Sequence, residues 1–431
     1  MEDKDRNVFA SRNFRLVFFG ALVSELGALL YSFAVSFYIL EISNNNAFLQ
    51  GLYLALCGVS MLLLTPVGGV MGDRFNKARI MYVCDYLKGS MIILATVLMI
   101  LFREPNAHIA ILFVLGIIGN AVSGVFNPAA GALLPRIVEE NRLQQANSYF
   151  TIKSSLESIL GVILAGVLYA TLPIYTLFFF VGACFVASGI SEMFIHYDHT
   201  PSEEQLTLKV ALGDMKDGLV YLKSQKAILA LLGAILFINF FFSPVTGNFL
   251  PFFVKTDLAN APSYLFHNVL TPELWSSIVS VCFGISSMLS AAILSAAKQP
   301  KKCGHTVAVR ICIFAVVMVA WTICCWLLVD RGKSLNGFLI ALCLGTLAMG
   351  FIISLINIPI STAIMRIVDK TKLSKVNSII NIGSQGITPL ASVLAGVILQ
   401  SLGSTMLLVF CSVGFSVTAI LMLVNKSIKE L

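Results

Sequence analysis

Residues 136–148 read RIVEENRLQQANS and residues 366–378 read RIVDKTKLSKVNS. The same shift of 230 positions carries Leu164-Ala165-Gly166-Val167 onto Leu394-Ala395-Gly396-Val397 without a gap. A chain that repeats itself at that distance is built from two units of one kind, each much longer than a solenoid repeat. On either side of both copies the sequence turns apolar, and those flanks decide what the units are made of.

Apolar runs bounded by charge clusters lie at about 16–40, 49–71, 80–102, 108–130, 146–170, 174–195, 227–252, 274–297, 306–329, 337–360, 377–400 and 404–424. Each is close to the ~20 residues an α-helix needs to cross ~30 Å of hydrocarbon. The 431 residues are 58% hydrophobic and 12% charged, which is too little charge to clothe a soluble domain. Strands of a membrane β-barrel would alternate polar and apolar residues over ~10 positions, and these runs do not. The reading is an all-α membrane protein of twelve transmembrane helices in two six-helix bundles related by a parallel pseudo-two-fold repeat. The first run, Leu16 to Leu40, is too long for a signal-peptide core and is expected to remain as the first membrane helix.

The cations set the direction. With the N-terminus inside, 23 of the 29 Lys and Arg fall on inner segments and 4 on outer ones, while Lys88 and Lys153 lie within spans. That asymmetry places both termini in the cytoplasm of a multi-pass plasma-membrane protein, expected in a bacterial inner membrane. The net charge of +7 then reports contact with anionic inner-leaflet lipid, and nucleic acid is not needed as a partner. The domains expected are 1–195, a cytoplasmic linker 196–226, and 227–431. Within the linker, Leu208, Leu212, Met215, Leu219 and Leu222 recur at helical spacing, the pattern of an interfacial amphipathic helix. The stretch from Lys255 to Glu273 reads as the longest outer loop.

Several chemistries are set aside. Nine of the ten cysteines lie inside apolar runs, Cys303 alone reads as a loop residue, and no CxxC occurs, so packing thiols are expected in place of redox or metal work. His196-Tyr197-Asp198-His199 has ligand-type residues but no fourth partner nearby, so no metal is expected. Arg331-Gly332-Lys333-Ser334 ends like a phosphate loop, yet Leu327 stands where its first glycine belongs, so no nucleotide cofactor is expected. No nucleophile and base can be paired, and an enzyme is not expected.

Three motifs carry a family resemblance. Gly69-Val70-Met71-Gly72-Asp73-Arg74-Phe75-Asn76-Lys77-Ala78-Arg79 resembles the signature between helices two and three of the major facilitator superfamily. Asn127-Pro128-Ala129-Ala130 with Leu134-Pro135-Arg136-Ile137-Val138, and Lys216-Asp217-Gly218-Leu219-Val220-Tyr221-Leu222, are similar to its macrolide-efflux and siderophore-exporter branch. The resemblance spans the chain and implies a monomeric secondary transporter, working by alternating access, that exports a small amphipathic compound in exchange for protons. It also implies a gating role for Gly69, Gly72, Asp73, Arg74, Lys77 and Arg79, with Asp73 as a latch. Two departures keep uptake or facilitated diffusion open: Gly119 or a neighbour stands where many drug–proton antiporters carry an arginine, and Gly161-Val162 replaces their helix-five Gly-Pro. A non-transporting membrane partner is the alternative of another class.

Glu25 lies about nine residues into the first span, ~14 Å deep, where a carboxylate costs at least ~2.5 kcal/mol and persists only if paired, protonated or facing a cavity. Glu157 is at similar depth in the fifth span, with Lys153 one turn before it. The two acids are the candidate proton-coupling or cation sites, Glu25 first; Lys153 is expected to neutralise Glu157, leaving Glu25 without a basic partner on its own helix. Glu25, Lys153, Asn239, Phe240 and Gln385 are the candidate substrate-cavity residues, with interhelical hydrogen bonding the alternative for the amides and lipid contact the alternative for the ring. Asp85 and Lys88 read as an i,i+3 pair or as a snorkelling lysine, on what the resemblance implies is a supporting helix.

Overall fold

The computed structural model describes residues 8–139, 142–197, 213, 226–261, 263–296, 303–330, 334–368 and 373–424. Among them run twelve helices long and apolar enough to cross a membrane. They are α1 (Arg12–Ile42), α2 (Ala47–Arg74), α3 (Lys77–Leu101), α4 (Pro105–Ile137), α5 (residues 143–171), α6 (Ile174–Met193), α7 (residues 226–258), α8 (Pro272–Ala296), α9 (residues 303–330), α10 (Leu335–Ile367), α11 (Leu373–Leu402) and α12 (Ser404–Val424). The expected amphipathic linker helix lies outside the described residues, Gly213 excepted.

The helices overrun the apolar runs because their polar ends continue the backbone pattern. Cys303 is the first residue of α9, not a loop residue, and Lys255 lies in the last turns of α7, so the outer loop begins only after Leu258. Between α2 and α3 the break is set by Asn76, whose Oδ1 accepts from the Arg79 N–H at 3.1 Å as an N-cap. Four helical segments widen into π turns: Glu157–Gly161 in α5, Val245–Phe249 and Val254–Leu258 in α7, and Trp326–Asp330 in α9. The first π turn of α7 follows Pro244, which has no N–H to give the α-helical ladder.

Two compact units emerge, one of residues 1–38 and 56–211, the other of 39–55 and 212–431. In the first, α3 crosses α6 backbone to backbone: a Cβ on Gly89 would come within 2.8 Å of the Gly182 carbonyl. The α2–α4 crossing is equally close, with a Cβ on Gly68 2.5 Å from the Gly124 carbonyl oxygen. Helix α1 is tied to α6 by hydroxyls, Ser188 donating to the Gly20 carbonyl at 2.9 Å and Ser191 to that of Leu16 at 3.0 Å. Small residues at crossings and hydroxyls between helices are what helices in lipid rely on, since lipid removes the hydrophobic drive between them.

The second unit uses the same pairings six helices later. There α9 packs along α12, joined by Thr322 and Ser412 hydroxyls at 2.7 Å, and α8 along α10, joined by Ser287 and Ser354 at 2.6 Å. Gly350 lets α10 approach the α8 backbone at Phe283. The C-terminal end of α1 and the N-terminal end of α2 belong to this unit: a Cβ on Gly396 of α11 would lie 2.6 Å from the Ala47 carbonyl, and Gln400 accepts from the Ala47 N–H at 2.8 Å. The repeat in the sequence is therefore a repeat of helix partners.

Candidate functional site

Midway along α1, Glu25 faces α5, where the chain has Lys153 and, one turn later, Glu157. The two helices come close because Gly161 has no side chain; a Cβ there would meet Leu26 at 3.1 Å and Leu29 at 3.2 Å. The π turn opens at Glu157 itself, adding a residue to the turn and re-aiming the carboxyl. The Lys153 ammonium lies 2.6 Å from Glu25 Oε2, 3.5 Å from Glu157 Oε1 and 5.4 Å from the centre of the Phe150 ring.

Burial divides the triad. The Lys153 and Glu157 side chains are 1% and 7% exposed, and that of Glu25 is 51% exposed. The three groups are held by charge: the ammonium is within ion-pair distance of both carboxylates. Two carboxylates around one ammonium leave one negative charge over, and the group is complete only when a proton or other cation joins it.

The expected contact of Lys153 with Glu157 is present at 3.5 Å, and Lys153 also reaches across to α1. Its nearer partner is Glu25, from the facing helix, because the α1–α5 approach at Gly161 outweighs the i,i+4 spacing within α5. The expected Asp85–Lys88 ion pair is absent among the described residues. Lys88 turns its ammonium onto the rings of Phe126 and Phe185, 5.1 and 5.5 Å from their centres.

The signature segment sits at the end of α2 and the start of α3. A Cβ on Gly69 would meet nothing within 4 Å, and one on Gly72 would lie 3.7 Å from Ala129 of α4, so only Gly72 faces α4, and loosely. Arg74 and Arg79 are exposed; Lys77 is buried, its N–H donating to the Tyr197 hydroxyl at 2.8 Å. With Met71, Val83 and Val125, the two arginines line a groove of about 790 Å³. The side chain of Asp73 lies outside the described residues.

In the second unit, Asn239 donates back to its own helix at the Ile235 carbonyl, 2.9 Å away, and Phe240 packs edge-on against Phe241. The side chain of Gln385 lies outside the described residues. Sequence reasoning passed over Glu192, which is fully buried on α6, and the ion cluster at the end of α7 in which Lys255 holds Glu41 at 3.1 Å and Glu273 at 3.0 Å. Beside that cluster, burial and the Glu273 charge hold the Tyr264 phenol above its ordinary range, and its hydroxyl donates to the Leu270 carbonyl at 2.9 Å. Glu192 is the penultimate residue of α6, where a charge reads as solvated.

Relatives give this geometry its context. The profile of the Major Facilitator Superfamily matches residues 17–321. The uncharacterized MFS-type transporter YkuC of Bacillus subtilis is 24% identical over 57% of both chains, and YvqJ of the same organism is 23% identical over 54% of this chain and 55% of its own. The chain thus spans a little over half the length of these relatives. Among solved structures, the fold is similar to that of nucleoside transporter NupG, with a TM-score of 0.71 at 12% identity, covering 96% of this chain and 100% of the other. It is also similar to a bacterial homologue of the iron transporter ferroportin, with a TM-score of 0.68 at 17% identity, over 97% and 99% of the two chains. Twelve spanning helices, the internal repeat of helix partners and the profile match lead to one assignment: this chain belongs to the Major Facilitator Superfamily.

Proposed function

We propose that the protein is a proton-coupled secondary transporter that exports small amphipathic compounds, and that Glu25, Lys153 and Glu157 form its coupling centre. One observation carries the reading: a single buried ammonium lies between two carboxylates from different helices, one of them half exposed. Glu25 is the principal proton site because water or substrate reaches it, and Glu157 is the second. Protonating Glu25 removes the charge that holds Lys153 toward α1, and the ammonium then turns to Glu157 on its own helix. The ion contact joining α1 to α5 opens when the proton arrives and closes when it leaves. A chemical potential is thereby linked to a helix–helix contact, which is what coupling requires.

The resemblance to the macrolide-efflux and siderophore-exporter branch supports export, and the signature from Gly69 to Arg79 supports Asp73 as a latch of one access state. Both termini are assigned to the cytoplasm on the cation asymmetry, with 1–195 and 227–431 as the functional halves. A second reading, uptake or facilitated diffusion of a small solute, is favoured by Gly119 or a neighbour in place of an arginine and by Gly161-Val162 in place of Gly-Pro.

The test uses proteoliposomes with a pH gradient of either sign and a panel of amphipathic and nucleoside-like compounds. Glu25→Gln should abolish gradient-driven transport while downhill exchange of a neutral compound continues. Full protonophore-sensitive transport by that variant would remove Glu25 from the mechanism, and movement of substrate with the proton gradient would replace export by uptake.

A further inference from the structure

Asp85 on α3 and Glu192 on α6 sit at the α3–α6 crossing, and both residues are sealed, 1% and 0% exposed. None of their four carboxyl oxygens has a hydrogen-bond partner. Ser188, one turn before Glu192, gives its hydroxyl hydrogen to the Gly20 carbonyl of α1 at 2.9 Å. Gly20 closes α1 over the pair: a Cβ there would lie 3.4 Å from both Glu192 Cγ and Ser188 Oγ.

The charges acting on these groups are few. From α3 they are Asp85, Lys88 and the Cys84 thiol; from α6, Glu192; α1 presents backbone at Leu16 and Gly20, and α4 presents the Phe126 ring. Lys88 is in electrostatic range of both acids, yet its ammonium rests on two phenylalanine faces and forms no ion pair with either among the described residues. One ammonium offsets one of two carboxylates. A second bare carboxylate in a dry crossing, where the Ser188 hydroxyl within reach of Asp85 is already bonded to the Gly20 carbonyl, is the arrangement proteins avoid by protonation. A metal ion would need a shell of oxygen ligands in place of its water, and phenylalanine faces with a neighbouring ammonium provide none.

We propose that Asp85 and Glu192 form a proton-binding pair inside the first unit, holding one proton at neutral pH and separate from the Glu25–Lys153–Glu157 triad. The proton, taken from solvent, forms an O–H on one of the two carboxyls. The site does not depend on the direction of transport or on the substrate.

The test is infrared spectroscopy of the full-length protein at neutral pH in H2O and D2O, in a Glu157→Gln background so that the other triad is altered independently. The carboxylic-acid C=O band should be present in that background and shift in D2O only slowly. Asp85→Asn and Glu192→Gln each leave a single acid facing Lys88, so either should abolish the band; if one fails to fold, the other reads the same proton. Lys88→Met leaves two acids without a cation and should raise the band about twofold. The proposal is overturned if the background shows no such band, if the band survives both carboxamide variants, or if sodium chloride in place of choline chloride removes it.

Discussion

The first unit holds two clusters of one composition, two carboxylates and a lysine, arranged in opposite ways. In the Glu25–Lys153–Glu157 triad the ammonium lies against acids from two helices, and half of Glu25 stays accessible. In the Asp85–Lys88–Glu192 cluster the ammonium rests on rings, and both acids are sealed. Composition gives both groups an odd charge, but access decides what that charge can do. A half-exposed acid is within reach of water and solute. A sealed one keeps its proton until the helices around it separate. The first arrangement suits coupling, and the second suits a fixed charge balance at a helix crossing.

The widest separation between the two should come from removing each lysine. Lys153→Met leaves two acids facing each other at mid-membrane, and gradient-driven transport should be lost. Breaking a fully buried pair costs about 3–5 kcal/mol, and the exposure of Glu25 lowers that to about 2–3 kcal/mol. Lys88→Met forfeits two ring contacts and should cost about 1–2 kcal/mol. Thermal unfolding in detergent, followed by helical circular dichroism, compares the two. Equal losses would mean that the ring-held lysine is as tightly paired as the other, contrary to the geometry.

How each cluster could be read beforehand differs for the same reason. The twelve spans and their pairing follow from apolar runs and the 136–148/366–378 repeat, because a helix in lipid must be apolar over its own length whatever surrounds it. The triad was half legible: Glu25, Lys153 and Glu157 stood out as charges at depth, but spacing along one helix cannot show that α1 brings Glu25 closer to Lys153 than Glu157 is. The contact depends on Gly161, a tertiary feature, and on a π turn for which SLESILG carries no composition signal. Glu192 was illegible because it stands beside the polar end of α6, and what seals it is Gly20 on another helix. Charges can be placed in depth from sequence, whereas their partners across helices cannot.

A smaller effect separates the clusters by their packing. Gly89 is one turn from Asp85, and a Cβ at that position would meet the Gly182 carbonyl and the Val186 side chain, both at 2.8 Å. Neither backbone can give way without opening the α3–α6 crossing, so Gly89→Ala should destabilise the protein by about 1–3 kcal/mol. It should also let water reach Asp85, so that the slow D2O shift of the carboxyl band becomes fast while the Lys153 triad is untouched. An unchanged exchange rate alongside lost stability would show that the seal lies elsewhere, at Gly20 and α1.

The finest distinction is between a carboxyl pair that holds its own proton and one that borrows a hydrogen from a neighbour. Ser188 is the hydroxyl that could lend one, since it sits on α6 one turn from Glu192 and close to Gly20 of α1. Ser188 donates to the Gly20 carbonyl at 2.9 Å and also lies within hydrogen-bonding reach of Asp85, so Ser188→Ala removes a bond between α1 and α6 and leaves the number of protons on the acids unchanged. The cost should be about 1 kcal/mol, the usual net worth of one buried neutral hydrogen bond. The carboxylic-acid band should keep its intensity and frequency, because the proton belongs to Asp85 and Glu192. If the band instead moves or fades in Ser188→Ala, the hydroxyl is part of the proton site, and the fixed charge balance at the α3–α6 crossing is shared with α1.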